Sequence, residues 1–198
     1  MKFSLLLLFT FFATFPADAI DLNPFSIIKG AIETAVEDRT ADDIKKDLAI
    51  KASLTADVID KMGTKVISIS ADVYEQSVML TGVVEKAALK KQAETLARAI
   101  EGVKKIFNEI LIIKDVDKEK GAVENFVDDS VIETKINALL LDGRGVNVTN
   151  YRWRSVGGKV FIFGRALSKP ELSKAIAIIK GIKGVTKVTS RVKIRPKG

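Results

Sequence analysis

VNVTNYRWRSVGGKVFIFGRALSKPELSKAIAIIKGIKGVTKVTSRVKIR, residues Val146 to Arg195, decides the fold. Alternation over Tyr151–Val156 and Val160–Arg165, with Gly157-Gly158 between, predicts a hairpin. A helix with Ala175, Ile178 and Ile182 follows, and then a last alternating strand with Val188, Val192 and Ile194. Moved back by 82 positions, the pattern recurs: Gly164 falls on Gly82, Ala175 on Ala93, Ile182 on Ile100, Gly184 on Gly102 and Val185 on Val103. Apolar positions follow it, Val160 on Val78, Ile162 on Leu80, Val188 on Ile106 and Val192 on Ile110. A constant offset over such a length marks an internal duplication.

Each copy reads as α-β-β-α-β. In the first, Thr40 opens a helix whose apolar marks are Ile44, Leu48 and Ala52. Strands at Val66–Val73 and Val78–Val84, a helix over Lys86–Glu101 closed by Gly102, and a strand over Val103–Ile113 follow. In the second, a helix from about Asp128 carries Ile132, Ile136, Leu139 and Leu140. Matching Ile44 to Ile132 implies an offset of 88 there, so that the second copy is expected to be six residues shorter before its first strand. The fold class is α+β: two tandem αββαβ domains, each a three-stranded mixed sheet with two helices on one face.

Before the repeats, Lys2 precedes an apolar run, Phe3–Phe15, and then Pro16 and Ala17-Asp18-Ala19. This predicts an export signal over 1–19, cut after Ala19. The rival is an uncleaved anchor, for which the run is short, since a span takes roughly 20 residues. Asn23-Pro24 starts an amphipathic helix within 20–38, on Phe25, Ile28, Ile32 and Val36. The first domain then covers 39–114, a charged linker 115–125 and the second domain 126–198.

The motif closing each copy, Ile100-Glu101-Gly102-Val103-Lys104-Lys105-Ile106-Phe107-Asn108 and Ile182-Lys183-Gly184-Val185-Thr186-Lys187-Val188-Thr189-Ser190, resembles the BON domain. A signal sequence followed by two such domains is similar to the periplasmic two-BON proteins of Gram-negative envelopes. Ser190 departs from the Asn that the family prefers, and with no Cys at the cut site a lipoprotein anchor is excluded. The resemblance implies a non-enzymatic protein that contacts phospholipid through its second domain and supports envelope integrity. A stress-linked chaperone or protein-interaction module is the alternative.

Composition narrows the chemistry. Cys and His both number 0, which removes disulfides, thiolate nucleophiles and imidazole chemistry. No catalytic motif, metal site or cofactor is expected. Charge is uneven: residues 20–114 carry 14 basic and 15 acidic side chains, and residues 115–198 carry 17 and 9. From Gly143 onward, 14 basic residues face the single acid Glu171. Such asymmetry concerns partners rather than fold.

Strand parity places the charge. If Tyr151 and Trp153 face the helices with Val160, Ile162, Val188, Val192 and Ile194, then the sheet's back carries Asn150, Arg152, Arg154, Phe161, Phe163, Arg165, Thr189, Arg191, Lys193 and Arg195. The first copy has Met79, Thr81, Phe107, Glu109, Leu111 and Ile113 at its equivalent places. Two readings stay open. The two backs pack on each other or on another chain, or the basic back binds an anionic phospholipid surface. A second candidate lipid contact is the start of the second domain's first helix, Phe126, Val127 and Val131 beside Lys135. Aromatics within a basic sheet also suit stacked bases, but export argues against nucleic acid as a partner.

Overall fold

The computed structural model describes residues 38–63, 68–113 and 122–195, with side chains described from 128 onward in the last stretch. The expected leader, the amphipathic helix at 23–36 and most of the linker lie outside the described residues. The first domain consists of α1 (Ala41–Met62), β1 (Ser70–Tyr74), β2 (Ser77–Thr81), β3 (Val83–Val84), α2 (Ala87–Ala99), β4 (Lys105–Asn108) and β5 (Leu111–Ile112). The second consists of α3 (Ala122–Asp142), β6 (Tyr151–Val156), β7 (Lys159–Ala166), α4 (Lys169–Lys180) and β8 (Lys187–Ile194). Helix α3 thus begins six residues before the predicted Asp128, inside the stretch read as linker.

The two sheets have the same topology. β1 pairs antiparallel with β2, and β2 pairs parallel with β4. β6, β7 and β8 repeat that order. In the first domain the continuation is carried by β3 and β5, paired parallel beyond Gly82. The glycine shared by both copies has a steric cause. Gly82 has φ +123°, and a Cβ there would lie 1.8 Å from the Ser68 carbonyl oxygen. Gly164 has φ +112° and would place its Cβ 2.1 Å from the carbonyl oxygen of Asn150. The neighbouring strand passes too close for any side chain.

One face of each sheet is filled by its helices. Ile50, Leu54, Val73, Val78, Leu80, Ala93, Ala97 and Ile110 form one core. Ile132, Ile136, Leu140, Tyr151, Trp153, Val160, Ile162, Ala175 and Ile179 form its counterpart. The strand parities expected from the sequence therefore hold. The first-helix reading does not: Leu48 is 62% exposed, Ala52 is exposed and Leu139 is 45% exposed. What faces inward on α1 is Asp47, followed by Ile50 and Leu54.

Asp47 explains the correction. Its carboxylate accepts from the backbone N–H groups of Glu75 (2.8 Å) and Gln76 (2.7 Å), from Gln76 Nε2 and from Arg39. It thereby holds the turn between β1 and β2, whose two residues both have positive φ without being glycine: Glu75 at 49° and Gln76 at 56°. Such conformations cost roughly 1 kcal/mol or more each for ordinary residues. In the second copy Asp129 does the same for Gly157 (2.7 Å) and Gly158 (3.0 Å) and also accepts from Ser155 Oγ. Asp47 and Asp129 are 82 positions apart, as are Ile50 and Ile132, so the six-residue shortening disappears and the duplication runs without a gap through the first helix. A buried carboxylate carries no apolar signal, which is why hydrophobic spacing alone chose the wrong register.

Asp129→Ala removes three charge-assisted acceptor contacts and is expected to lower unfolding free energy by about 2–4 kcal/mol. Asp142→Ala, at the exposed end of the same helix, should stay within about 0.5 kcal/mol. Urea unfolding followed by the fluorescence of Trp153, the single tryptophan, makes the comparison.

Candidate functional site

The backs of the two sheets pack on each other. Tyr74 and Met79 of the first domain meet Val156, Phe161 and Phe163 of the second, with Val83, Phe107 and Leu111 packed against them. Phe163 sits edge-on to Tyr74, ring centroids 6.4 Å apart, and to Phe107, 5.7 Å apart. The layers therefore run helix, sheet, sheet, helix, with a third apolar layer between the sheets. The expectation of an open basic face is overturned; the reading in which the two backs cover each other is the one observed.

The cationic residues of that face consequently pair across the seam, Arg154 and Arg165 largely covered and Arg191, Lys193 and Arg195 at its exposed rim. Arg154 makes a two-pronged contact with Asp72, Nε to Oδ2 at 3.0 Å and Nη2 to Oδ1 at 3.3 Å. Arg165 lies 3.3 Å from Asp38 and 3.7 Å from Glu75. Arg191 donates to Glu109 at 2.5 Å, and Arg195 to Glu75 at 2.7 Å. Lys193 reaches Ser77 Oγ at 3.3 Å and Glu75 at 4.0 Å. Arg152 donates to the carbonyls of Thr149 and Tyr151, with its guanidinium 5.5 Å from the centre of the Tyr74 ring. Five cations of the second half, Arg154, Arg165, Arg191, Lys193 and Arg195, thus meet carboxylates of the first.

A neutral network extends the seam. Tyr74 donates its hydroxyl to Asn150 Oδ1 at 3.2 Å, and Asn150, fully buried, donates to Asp38 at 3.0 Å. Asn147 donates to the same Asp38 carboxylate at 3.1 Å. Nearby, burial and then the Glu171 carboxylate push the Tyr151 phenol well above its ordinary pKa, so it stays protonated and donates to Glu171 at 3.2 Å.

Of the acidic partners, Glu109 is placed on the back of the first sheet by the sequence, whereas Asp72, Glu75 and Asp38 are not recognised as counter-charges. Parity on β1 places Asp72 and Tyr74 on the back of the first sheet as surely as it places Arg154 on the back of the second. Comparing the two copies for opposite charge identifies the pairing. Asp38 precedes the first helix and had no such signal.

The remaining candidates lie elsewhere. Val131 and Lys135 are on α3, both exposed, on the side turned away from the Ile132, Ile136 and Leu140 core. The side chain of Phe126 lies outside the described residues. The chaperone alternative relied on the apolar sheet faces, and those faces are occupied by each other.

The duplicated αββαβ unit with its shared glycine defines the class: BON domains match residues 46–114 and 128–196, and the chain belongs to that family. The two matches are offset by 82 at both ends, in agreement with the Asp47–Asp129 equivalence. Among curated proteins, an uncharacterized protein from Anaplasma centrale is 36% identical over 65% of this chain and 82% of its own. Osmotically-inducible protein Y of Escherichia coli is 27% identical over 75% of this chain and 73% of its own. Outer membrane lipoprotein DolP of Haemophilus influenzae is 28% identical over 80% and 79%.

The Asp72–Arg154 pair gives the seam a measurable signature. Burial disfavours the charged carboxylate, but the attraction and hydrogen bonds of Arg154, aided by Lys51 and Arg152, outweigh it, and Asp72 lies below its ordinary 3.8. A depressed folded pKa means that its stabilisation is complete above the unfolded value and is lost as pH falls through the folded one. From this group, stability should be flat above about pH 5 and decline below about pH 4. Arg154→Ala leaves Asp72 buried without its main partner and is expected to cost about 3 kcal/mol at pH 7. A double-mutant cycle with Asp72→Ala, read by thermal or urea unfolding, should return a coupling of at least about 1 kcal/mol.

Proposed function

We propose that this is an exported, non-enzymatic envelope protein that rests on anionic phospholipid through the outer surface of α3. The relatives' names, one osmotically inducible and one an outer membrane lipoprotein, favour an envelope role linked to osmotic stress. The observation that carries the lipid reading is the composition of α3. Val131 is 46% exposed, Leu139 45% and Leu141 63%, so three of the seven large exposed apolar side chains among the described residues lie on this one helix. Lys135 is exposed among them, but α3 carries five acids (Glu124, Asp128, Asp129, Glu133 and Asp142) against this one base, so its contact is apolar and the attraction to an anionic surface is left to the lysines and arginines from Gly143 onward. Apolar residues that a soluble core leaves uncovered, with a cation at the same level, are what an interfacial helix needs.

The arrangement supports reversible attachment. A few aliphatic side chains at headgroup depth each contribute on the order of 1–2 kcal/mol, and each nearby cation adds about 1 kcal/mol against an anionic surface. No described helix is long and apolar enough to cross a membrane. Envelope maintenance then follows from placing a rigid two-domain body on the bilayer surface rather than from any reaction.

Flotation with phosphatidylglycerol vesicles should recover the protein, less so as salt rises, and phosphatidylcholine vesicles should not. Val131→Glu combined with Leu139→Glu should reduce recovery by tenfold or more while leaving the melting temperature unchanged. Arg154→Ala, by contrast, should lower the melting temperature. Undiminished flotation of the α3 variant would remove α3 as the contact.

A further inference from the structure

At one end of the seam the two domains leave a cleft of about 430 Å³. It is built where the β1–β2 turn of the first domain meets the ends of β7 and β8 of the second. Lys104, Arg165, Lys193 and Arg195 line it together with the carboxylate of Glu75. Three of those cations converge on that one carboxylate: Arg195 at 2.7 Å, Arg165 at 3.7 Å and Lys193 at 4.0 Å. Only the first distance is that of a hydrogen bond. Asp38 adds a second contact to Arg165, while Asp43, also on the rim, is engaged by Thr40.

The cations are therefore under-supplied with acceptors. Arg165 is only 8% exposed, and its Nε is buried with no acceptor among the described residues. Lys193, with three N–H donors, has one hydrogen bond, to Ser77. Lys104 donates to Gln76 Oε1 at 2.7 Å and is attracted by the Asp43 carboxylate across the rim. A buried donor without an acceptor is unfavourable, and three cations held by two carboxylates, Glu75 and Asp38, favour any anion that brings more oxygens.

The geometry points to this cleft as a binding site for a phosphate group, with Arg165, Lys193 and Arg195 as its principal donors and Glu75 as an internal carboxylate that holds the place when no phosphate is bound. A phosphate offers three or more acceptor oxygens and up to two negative charges, where Glu75 offers two oxygens and one. Arginine forks and a flexible lysine are the side chains that read such a group. The group can arrive free, as inorganic phosphate or a soluble phosphomonoester, or as the terminal phosphomonoester headgroup of phosphatidic acid. The site is separate from α3 and does not depend on that helix touching a membrane.

Calorimetric titration of the full mature chain with inorganic phosphate and with glycerol phosphate, at constant ionic strength against chloride, tests it. Alongside runs flotation with phosphatidic acid vesicles. Saturable binding of a soluble phosphate assigns a free ligand. Vesicle binding that is lost in the Lys193→Gln/Arg195→Gln variant but kept by the α3 variant assigns a headgroup. In either arm the Lys193→Gln/Arg195→Gln variant should bind at least about tenfold more weakly. Glu75→Gln should bind about tenfold more tightly, because the competitor is gone, while Glu101→Gln, the same charge change at an exposed remote position, should bind as the parent does. Absence of saturable binding in both arms, or equal effects of Glu75→Gln and Glu101→Gln, overturns the site. Loss of flotation in the α3 variant with phosphate titration intact separates the α3 reading from this one.

Discussion

A three-stranded sheet with helices on one side has another side that must be wet or covered, and here that side carries Met79, Phe161 and Phe163, all buried. Covering it with the second copy of the same sheet fixes everything else in the molecule. Each fully buried aromatic or Met side chain contributes roughly 2 kcal/mol relative to exposure, so the apolar layer alone favours docking. The strand directions then dictate which charges meet across the layer. Arg154 reaches Asp72, Arg191 reaches Glu109, and Arg195 reaches Glu75 because alternate residues on paired faces oppose one another.

The ion pairs contribute less to raw stability than to the choice of partner face. A buried pair such as Asp72–Arg154 roughly offsets its own desolvation. Removing one member is another matter, since the survivor is left in a seam with little water. The pairs thus disfavour every docking in which an acid meets an acid, and they select one register of sheet on sheet. That selection is consistent with the uneven charge of the two halves: 14 basic against 15 acidic residues in one, 17 against 9 in the other.

Much of this was legible in the residues. The repeat at an offset of 82, the strand parities, the turn at Gly157-Gly158 and the glycine of close approach at positions 82 and 164 all follow from spacing. Two features were not. Asp47 and Asp129 face inward to hold turns, and apolar periodicity is blind to a buried carboxylate. The back of the first sheet reads as apolar from Met79, Phe107, Leu111 and Ile113, which hides Asp72 and Glu109 as counter-charges to the basic back of the second. Period-2 parity tells which side a residue faces, and it does not tell what lies opposite. The exposed apolar surface of α3 was half legible: Val131 and Lys135 stood out, whereas Leu139 was assigned to a core that Ile136 and Leu140 already fill.

The two hairpin turns hold one further lesson about how duplicates diverge. Where the second copy bends through two glycines, the first bends through Glu75 and Gln76 in the same left-handed conformation. A glycine would relieve the backbone there, yet it would withdraw the carboxylate around which Arg165, Lys193 and Arg195 gather. One hairpin has become a plug for its sibling and the other has stayed a plain bend. Exchanging the two repeats along the chain would consequently not give an equivalent protein, because only one of them carries the peg and only the other the socket.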